Sequence, residues 1–464
     1  MAEPPSVYKL VEQCQIVPAN SRARRTTSLP LTFLDLPLAG PIYVRRQFFY
    51  QFPHPTHHFY NSTLPTLKHS LSLTLQHFYP LAGNLICPPP PHKPFIHCTD
   101  DHDSVPFTVI ESAADFKHLS SNHPKLLNEL KHLVPKLTPT NDGDHDDGND
   151  NTFIFPLLAL QATVFPNHGI CISITYCHIM DDFCCSQFMK TWSSICQTGG
   201  VHPTFLQNSP PCFDREALQD TKGLEGVFLR DYFEERSNWK HKFIAPTSDH
   251  DDYVKATIVF SREKIEGLKK WVLNQWKKNV SKFVVTCAFV WASLVKTRYR
   301  NGDDEQEEEY FRFAADCRDR LEYPIPEGYF GNCLALCHAT LQRKKLLEEQ
   351  GFMNAVKVIE RAVSDMKKEP FKDAEDWRVL FRKMFVSGSV LLVTGSPRFG
   401  VYGTDFGFGR PVKVEMVHSF KGVSLAECGD EDGGLEFGLV FRKGEFDCFV
   451  SVIEQGLEAF AFQS

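Results

Sequence analysis

Residues 178–182 read His-Ile-Met-Asp-Asp and hold the first candidates for chemistry in this chain. The imidazole of a histidine has an ordinary pKa near ~6.5, which suits it to take a proton and return it at neutral pH. His178 follows an apolar run directly and precedes a helical pattern, so its ring is expected to face a cleft at the end of a strand. His178 and Asp182 share one face only if the segment is helical. On context alone, a histidine satisfied within the core stays an open alternative.

A second candidate lies at 405–409, where the sequence is Asp-Phe-Gly-Phe-Gly. Gly407 and Gly409 flank an aromatic residue, a pattern typical of tight backbone turns in which a side chain would clash. The segment has neither the Gly-Lys-Ser/Thr nor the regular Gly-x-Gly-x-x-Gly of a phosphate loop. Taken alone, Asp405 and its glycines are predicted to be structural.

Composition argues against several other classes of protein. The 464 residues carry a formal net charge of -7 and no long basic run, which disfavours nucleic acid as a partner. The 15 cysteines include no Cys-x-x-Cys pair, and many lie in apolar runs. We therefore expect reduced core cysteines, no bound metal and, because no apolar signal segment opens the sequence, a cytoplasmic protein.

Apolar patterns predict the elements that would position the candidates. Residues 64–80 have near-helical apolar spacing between two prolines, which indicates an amphipathic helix. Residues 153–177 form two apolar runs around Pro-Asn-His-Gly, which predicts a β-hairpin ending just before His178. A helix is expected over about 185–197. The apolar run between Lys282 and Lys296 is too short to span a bilayer and predicts a buried helix.

The chain is long enough for two or three domains. Polar residues with Gly-Gly at 199–200 and Pro-Pro at 210–211 mark the expected boundary. We predict an N-terminal domain over 1–200, a crossover linker over 201–250 and a C-terminal domain over 251–464. Both halves alternate strands and helices, which indicates an α/β (α+β) fold of two sandwich domains with a substrate cleft between them.

The two candidate motifs together resemble those of the plant BAHD acyltransferases, which carry His-x-x-x-Asp and, later, Asp-Phe-Gly-Trp-Gly. Phe408 stands here in the place of the tryptophan. Further segments similar to that family, and to its clade acting on flavonoid and other phenolic glycosides, lie at 28–36, 54–59, 76–85, 285–291, 316–321, 329–333 and 395–399. The resemblance implies two domains like chloramphenicol acetyltransferase, with the active site in a channel between them, in a monomer.

The resemblance also implies roles for individual residues. His178 would be the general base, and Thr394 would contact the substrate and donate a hydrogen bond to the reacting carbonyl oxygen. Asp182 would turn away from the substrate and pair with Arg318 or Arg320. Asp405, Gly407 and Gly409 would belong to a distant loop that supports the fold or the coenzyme channel and does no chemistry. Arg398 is a candidate for holding the acyl donor.

This sequence departs from the family pattern at two places near His178. Phe183 follows the motif aspartate, where the family has glycine, and the segment up to Trp192 is one residue shorter. These departures predict a reshaped loop around His178.

The function implied is transfer of malonyl from malonyl-CoA to a sugar hydroxyl of a phenolic or flavonoid glucoside. Acyl-CoA would be a co-substrate, with no bound cofactor. Two alternatives remain: a hydroxycinnamoyl-CoA donor such as coumaroyl-CoA, and a family member that binds ligand with little turnover. A hydrolase using Ser396 is disfavoured, because Gly-Ser-Pro lacks the nucleophile elbow Gly-x-Ser-x-Gly.

Overall fold

The computed structural model describes residues 7–19, 26–99, 103–142, 152–201, 203–239, 252–299, 307–417 and 422–461. Its strands, in chain order, are β1 Tyr8–Ile16, β2 Thr27–Pro30, β3 Tyr43–Gln51, β4 Asn84–Cys87, β5 Phe95–Cys98, β6 Val105–Ser112, β7 Lys125–Leu126, β8 Thr140–Asp142, β9 Thr152–Pro156, β10 Leu158–Phe165, β11 Gly169–Cys177, β12 Tyr253–Phe260, β13 Glu308–Asp316, β14 Leu334–Gln342, β15 Val390–Thr394, β16 Lys413–Met416, β17 Gly422–Glu427 and β18 Leu435–Arg442.

The α-helices alternate with these strands along the chain. They are α1 Thr56–His58, α2 Leu64–His77, α3 Phe116–Leu119, α4 Leu127–Lys131, α5 Asp182–Gln197, α6 Thr204–Asn208, α7 Glu225–Arg236, α8 Arg262–Trp276, α9 Lys282–Arg298, α10 Arg343–Leu347, α11 Gly351–Lys368, α12 Trp377–Ser387 and α13 Glu445–Ala461. None of these described helices is both long enough and apolar enough to cross a membrane.

Two large mixed sheets organise the described residues. The N-terminal sheet has the order β1-β6-β10-β11-β3-β16, and the C-terminal sheet has the order β14-β13-β15-β17-β18-β12-β7. A small sheet of order β2-β5-β4-β9-β8 accompanies them. Each large sheet packs helices over an apolar face, and the two main cores are built around α5 and α9. The predicted α/β fold of two sandwich units is confirmed.

The hairpin predicted before His178 is confirmed for residues 158–177, whereas residues 152–156 form the separate strand β9, which pairs with β4 in the small sheet. Strands β10 and β11 pair antiparallel from Leu158 with Tyr176 to Phe165 with Gly169, and every residue in both is buried. Asn167 makes the turn at φ 62, a left-handed conformation that asparagine tolerates better than most residues. Helix α5 begins at Asp182, earlier than predicted, because Asp181 caps its N-terminus.

The helices predicted from apolar spacing are also present. The first is α2, which runs over Leu64–His77 and has Pro65 in its first turn. The second is α9, which begins after Ser281, whose side chain accepts a hydrogen bond from the backbone N–H of Val284. This helix is buried along most of its length, as its continuous apolar sequence requires.

The two halves of the chain exchange strands across the predicted boundary. The short β7 comes from the first half and pairs with β12 in the C-terminal sheet. In return, β16 comes from the second half and pairs with β3 in the N-terminal sheet. The segment predicted as a linker carries α6 and α7, while residues 202 and 240–250 lie outside the described part of the chain. The halves are therefore interlocked and not merely tethered.

A buried cluster of charges joins the exchanged strands. Glu415 on β16 lies 3.2 Å from Lys125 on β7 and 3.3 Å from Lys255 on β12. Lys413 contacts Glu436 on β18 at 2.7 Å. Burial opposes ionisation of Glu415, but Lys125, Lys255 and Lys413 outweigh it and hold the pKa of this carboxyl below its ordinary value. Glu415 is therefore the counter-ion on which the burial of these lysines depends.

Replacing this carboxylate should destabilise the protein strongly. We expect Glu415→Gln to lower the free energy of unfolding by about 3–5 kcal/mol, because it leaves the buried ammonium groups of Lys125 and Lys255 without their carboxylate partner, while Glu436 stays paired with Lys413. The exposed Glu458→Gln should change it by less than about 0.5 kcal/mol. Urea denaturation at pH 7 measures both.

The pH dependence of the same difference gives a second check. A carboxyl whose folded-state pKa is depressed contributes stability that is complete above its unfolded value of ~4.3 and declines below it. The difference in free energy of unfolding between wild type and Glu415→Gln should therefore stay constant from pH 7 to about pH 5 and decrease in more acidic buffer. If Glu415→Gln lowers the free energy of unfolding at pH 7 by nothing, or by no more than Glu458→Gln does, Glu415 is not the counter-ion that stabilises the buried lysines.

Candidate active site

His178 lies immediately after β11 and is fixed through its backbone on both sides. Its N–H donates to the carbonyl of Ile42 at 2.9 Å, and its own carbonyl accepts from Asn332 Nδ2 at 2.9 Å. The side chain is half-buried, and its Nδ1 is buried without a hydrogen-bond partner among the described residues. No described carboxylate therefore orients this ring at Nδ1, as an aspartate would in a Ser-His-Asp triad. The backbone contacts must place it.

Asp181 anchors the loop that carries His178. One carboxylate oxygen accepts from the N–H of Cys184 at 3.0 Å and so caps α5. The other lies 2.7 Å from Arg318 Nη1 and 3.3 Å from the N–H of Cys333. Burial alone would lower the pKa of the Arg318 guanidinium, but Asp181 outweighs it and holds that pKa above its ordinary value. The pair links the start of α5 to the second half of the chain.

Asp182 does not make the contact predicted for it. Its Oδ1 accepts from Arg46 Nη2 at 2.9 Å and from the Tyr176 hydroxyl at 2.8 Å. The expected pairing with Arg318 or Arg320 is wrong: Arg318 meets Asp181, and Arg320 donates to the backbone carbonyl of Asp316. The physical reason is the start of α5: Asp181 is the N-cap residue and reaches Arg318, whereas Asp182 is the first helical residue and meets Arg46 and Tyr176.

The segment 329–333 binds this loop to three other parts of the chain. Asn332 Nδ2 bridges the His178 carbonyl to Asp35 Oδ1, which lies 3.1 Å away. Asp35 also accepts from the N–H of Thr32 at 2.9 Å, and Arg215 donates to the carbonyl of Phe330 at 2.9 Å. Asp35 and Asn332 are fully buried. A connected buried network therefore holds the backbone of His178, as buried polar groups require.

Thr394 ends β15, where the two large sheets meet. Its hydroxyl lies 3.3 Å from the sulfur of Met416 and 3.3 Å from the carbonyl of Val423. Met416 belongs to the exchanged β16 and pairs with Arg46 of β3, the strand that also pairs with β11. The second half of the chain thus brings Thr394 against the sheet that carries His178.

The segment 405–409 folds into a closed turn. Asp405 Oδ1 accepts from the N–H of Gly407 at 2.8 Å and from that of Gly409 at 3.0 Å. Both glycines have positive φ, 101° and 103°, which side chains rarely adopt. Phe406 and Phe408 pack edge-on against Tyr50, with ring centroids 5.9 Å and 5.1 Å away. These contacts attach the turn to β3, a structural arrangement.

Arg398 lies on the turn that follows β15 and is exposed. Its N–H donates to Ser396 Oγ at 3.2 Å. The same turn is bound to α5, because the Phe399 carbonyl accepts from Ser186 Oγ at 2.9 Å and from Lys190 Nζ at 2.5 Å. The backbone of this turn is therefore fixed, while the Arg398 side chain extends towards solvent.

Sequence reasoning missed the residues that hold His178 in place. Asp181 had a usable signal, since the missing residue before Trp192 shifts the loop by one. Asn332 and Asp35 lie inside segments that resemble the family, but nothing in their spacing assigned them a role. Arg215 gave no signal, because its partners are more than a hundred residues away in the chain.

Comparison with known proteins identifies the family of the chain. The Transferase family matches residues 9–455. The chain is 37% identical to coumaroyl-CoA:anthocyanidin 3-O-glucoside-6''-O-coumaroyltransferase 2 of Arabidopsis thaliana, over 98% of both chains. It is 35% identical to malonyl-coenzyme A:anthocyanin 3-O-glucoside-6''-O-malonyltransferase of Dahlia pinnata, over 93% of this chain and 94% of that one.

Two solved structures share the fold. Vinorine synthase matches with a TM-score of 0.67 at 20% identity, over 95% of this chain and 96% of that one. TRI101 of F. graminearum with ethyl coenzyme A matches with a TM-score of 0.63 at 16% identity, over 91% and 96%.

The chain has the two-domain fold of these acyltransferase structures. The chain belongs to the Transferase family, that of the BAHD acyltransferases, as its motifs predict. It is a coenzyme A-dependent O-acyltransferase.

A double-mutant cycle tests which aspartate holds the loop. We expect Asp181→Asn and Arg318→Gln to show a coupling energy of about 1.5–3 kcal/mol in urea unfolding, because they contact each other within the protein interior. Asp182→Asn and Arg318→Gln should couple by less than about 0.5 kcal/mol. Stronger coupling of Arg318 to Asp182 would restore the assignment made from the sequence.

Asn332 should affect catalysis as a positioning residue. Asn332→Ala removes the donor that fixes the His178 carbonyl, so we expect kcat for acyl transfer to fall about 10- to 100-fold with a smaller change in KM. The control is Asn354→Ala, which removes a similar amide-to-carbonyl bond on α11 and should leave kcat unchanged. If Asn332→Ala lowers only the melting temperature, the positioning role is excluded.

Proposed function

We propose that this protein transfers a malonyl group from malonyl-CoA to a glucosyl hydroxyl of a phenolic or flavonoid glucoside, with His178 as general base. The observation that carries the proposal is the half-buried imidazole at the end of β11, held by its backbone between segments from both halves of the chain. Support for donor and acceptor comes from the relative of Dahlia pinnata and from phenolic glucoside malonyltransferase 1 of Arabidopsis thaliana, 32% identical over 98% of both chains.

The proposed reaction needs one base and one hydrogen-bond donor. His178 removes the proton of the sugar hydroxyl, and that oxygen attacks the thioester carbonyl. The tetrahedral intermediate then collapses, the carbon–sulfur bond breaks, and His178 returns the proton to the coenzyme A thiolate. Thr394 is proposed to donate its hydroxyl proton in a hydrogen bond to the carbonyl oxygen as negative charge develops there. The proposed reaction steps involve neither a covalent enzyme intermediate nor a metal.

The remaining residues act indirectly in this proposal. Asp181, Arg318 and Asn332 hold the His178 loop, and the turn formed by Asp405, Gly407 and Gly409 supports β3. Arg398 stays in the proposal as a contact for the acyl donor. Because it is exposed, its attraction for a carboxylate is worth about 0–1 kcal/mol, too little to select a donor alone. We further propose a cytoplasmic monomer without a nucleic-acid or membrane partner.

A coumaroyl-CoA donor is the principal alternative, and the similarity to the coumaroyltransferase of Arabidopsis thaliana favours it. The second alternative is a ligand-binding protein with little turnover.

The position of Phe183 helps to decide whether the site is intact. Its ring lies 4.6 Å from the Arg318 guanidinium and so packs against the ion pair of Asp181 and Arg318 that anchors the His178 loop. The replacement of glycine by Phe183 is thus accommodated, which argues for an intact site.

The testing experiment measures release of coenzyme A thiol from malonyl-CoA and coumaroyl-CoA, each with phenolic glucosides and with the matching aglycones. We expect release that depends on the glucoside and is faster with malonyl-CoA. Faster release with coumaroyl-CoA establishes the alternative donor, and release without any acceptor indicates hydrolysis.

His178→Ala should lower kcat at least about 100-fold and leave the unfolding transition in place. The control is His168→Ala, which changes an exposed histidine in the turn before the same strand and should retain full activity. Turnover that survives His178→Ala would remove His178 from the mechanism. A folded wild type without turnover on any pair would favour the binding role.

A further inference from the structure

Arg312, on β13, is a buried arginine without a carboxylate partner. Its residue surface is 5% exposed, and no described residue accepts a hydrogen bond or forms an ion pair with its guanidinium. Two other arginines that are as buried behave differently: Arg46 lies 2.9 Å and Arg343 2.7 Å from a carboxylate oxygen, and the less buried Arg318 also pairs with a carboxylate at 2.7 Å. An unpaired buried charge costs several kcal/mol, so its retention calls for a physical explanation.

The register of the sheet directs Arg312 to the same side as Thr394. Arg312 pairs with Leu392 on the parallel strand β15, and residues that pair in this way point to the same face. Thr394 lies two residues further along β15 and shares that face, whereas Leu391 and Val393 point into the helical core. Because the Thr394 hydroxyl contacts Met416 of the N-terminal sheet, this face is turned towards the space between the two halves.

The neighbours of Arg312 leave it as a positive charge. Burial lowers the pKa of Arg312 to about 10, with Cys337 acting in the opposite direction, so the guanidinium is protonated at pH 7. His338 lies opposite on β14, and burial, followed by the charge of Arg312, lowers the pKa of this imidazole, which is therefore neutral. Phe381 of α12 covers the guanidinium at 4.9 Å from its ring centroid. One face is thus held by an aromatic ring, while the N–H groups stay available to an anion.

We propose that Arg312 binds the free carboxylate of a dicarboxylic acyl group, the malonyl of the donor, while the thioester carbonyl lies at Thr394 and His178. This inference rests on the proposed function. In a malonyl group one methylene separates the thioester carbonyl from the carboxylate, so the cation that recognises it must lie beside the reacting centre. An arginine suits this task because its planar fork can hold both oxygens of a carboxylate. A coumaroyl group has no carboxylate and gains nothing from this charge.

Binding of donors, measured by calorimetry without an acceptor, tests the inference independently of turnover. We expect the wild type to bind malonyl-CoA about tenfold or more tighter than acetyl-CoA, which differs by lacking the carboxylate. Arg312→Met should abolish that preference and change the affinities for acetyl-CoA and coumaroyl-CoA less than about threefold. Arg312→Lys should keep part of the preference, because it keeps the charge and loses the fork. The control, Arg361→Met, removes an arginine whose side chain is 83% exposed and should behave as wild type.

Each result decides the question. Equal weakening of all three donors by Arg312→Met, or a wild type that binds acetyl-CoA as tightly as malonyl-CoA, overturns the inference; the second result needs no variant and holds even if Arg312→Met fails to fold. Selective binding through Arg312 without thiol release from any donor and acceptor would retain the carboxylate site and refute the proposed function. If the protein transfers malonyl and Arg312→Met keeps the wild-type donor preference, the proposed function is retained and the carboxylate site at Arg312 is refuted.

Discussion

The arrangement around His178 depends on one buried ion pair, between Asp181 and Arg318. The carboxylate caps α5 with one oxygen and meets the guanidinium with the other, so the start of the helix and the segment after β13 are fixed by the same group. Arg318 also donates to the carbonyl of Gly331, next to the asparagine that holds His178. Loss of Arg318 would leave the buried Asp181 carboxylate without its counter-ion, and loss of Asp181 would leave Arg318 with only the partly exposed Asp316, 3.1 Å away. Because no described carboxylate contacts the His178 ring at Nδ1, the position of this ring depends on its backbone.

The exchange of strands between the halves serves the same end at longer range. His178 comes from the first half of the chain and Thr394 from the second, and an acyl transfer that uses both needs a fixed distance between them. Strands β7 and β16 cross in opposite directions, and where the sheets meet Glu415 of the N-terminal sheet neutralises Lys125 and Lys255 of the C-terminal sheet. Relative movement of the sheets would separate these buried charges. The exchanged strands and these ion pairs therefore hold the sheet that precedes His178 and the sheet that carries Thr394 in a fixed relation.

The sequence predicted those parts of the structure whose signal is local. Strands β10 and β11 and helix α9 are long apolar segments whose period and punctuation identify them. Strands β7 and β16 have two and four residues, too few to show a period, and their pairing partners lie far away in the chain. The choice between Asp181 and Asp182 had one local signal, the segment that is one residue short before Trp192. The partner that decides the choice, Arg318, lies 137 residues later in the chain.

Donor choice shows why overall similarity and local chemistry must be kept apart. A coumaroyltransferase and a malonyltransferase are 37% and 35% identical to this chain over most of its length, a difference too small to select between them. The two donors differ in charge, and a single desolvated guanidinium discriminates between a carboxylate and a neutral ring by more than the rest of a shared fold can. In a protein where buried arginines such as Arg46, Arg318 and Arg343 meet their counter-ions within the chain, Arg312 keeps its hydrogen-bonding capacity unused by the fold. Folding alone gives no reason for an arginine there, because a methionine of similar length would pack under Phe381 without the cost of desolvating a charge. Binding of a substrate carboxylate would explain the arginine, because the anion compensates the cost of burying the guanidinium charge only when a donor with a carboxylate is bound.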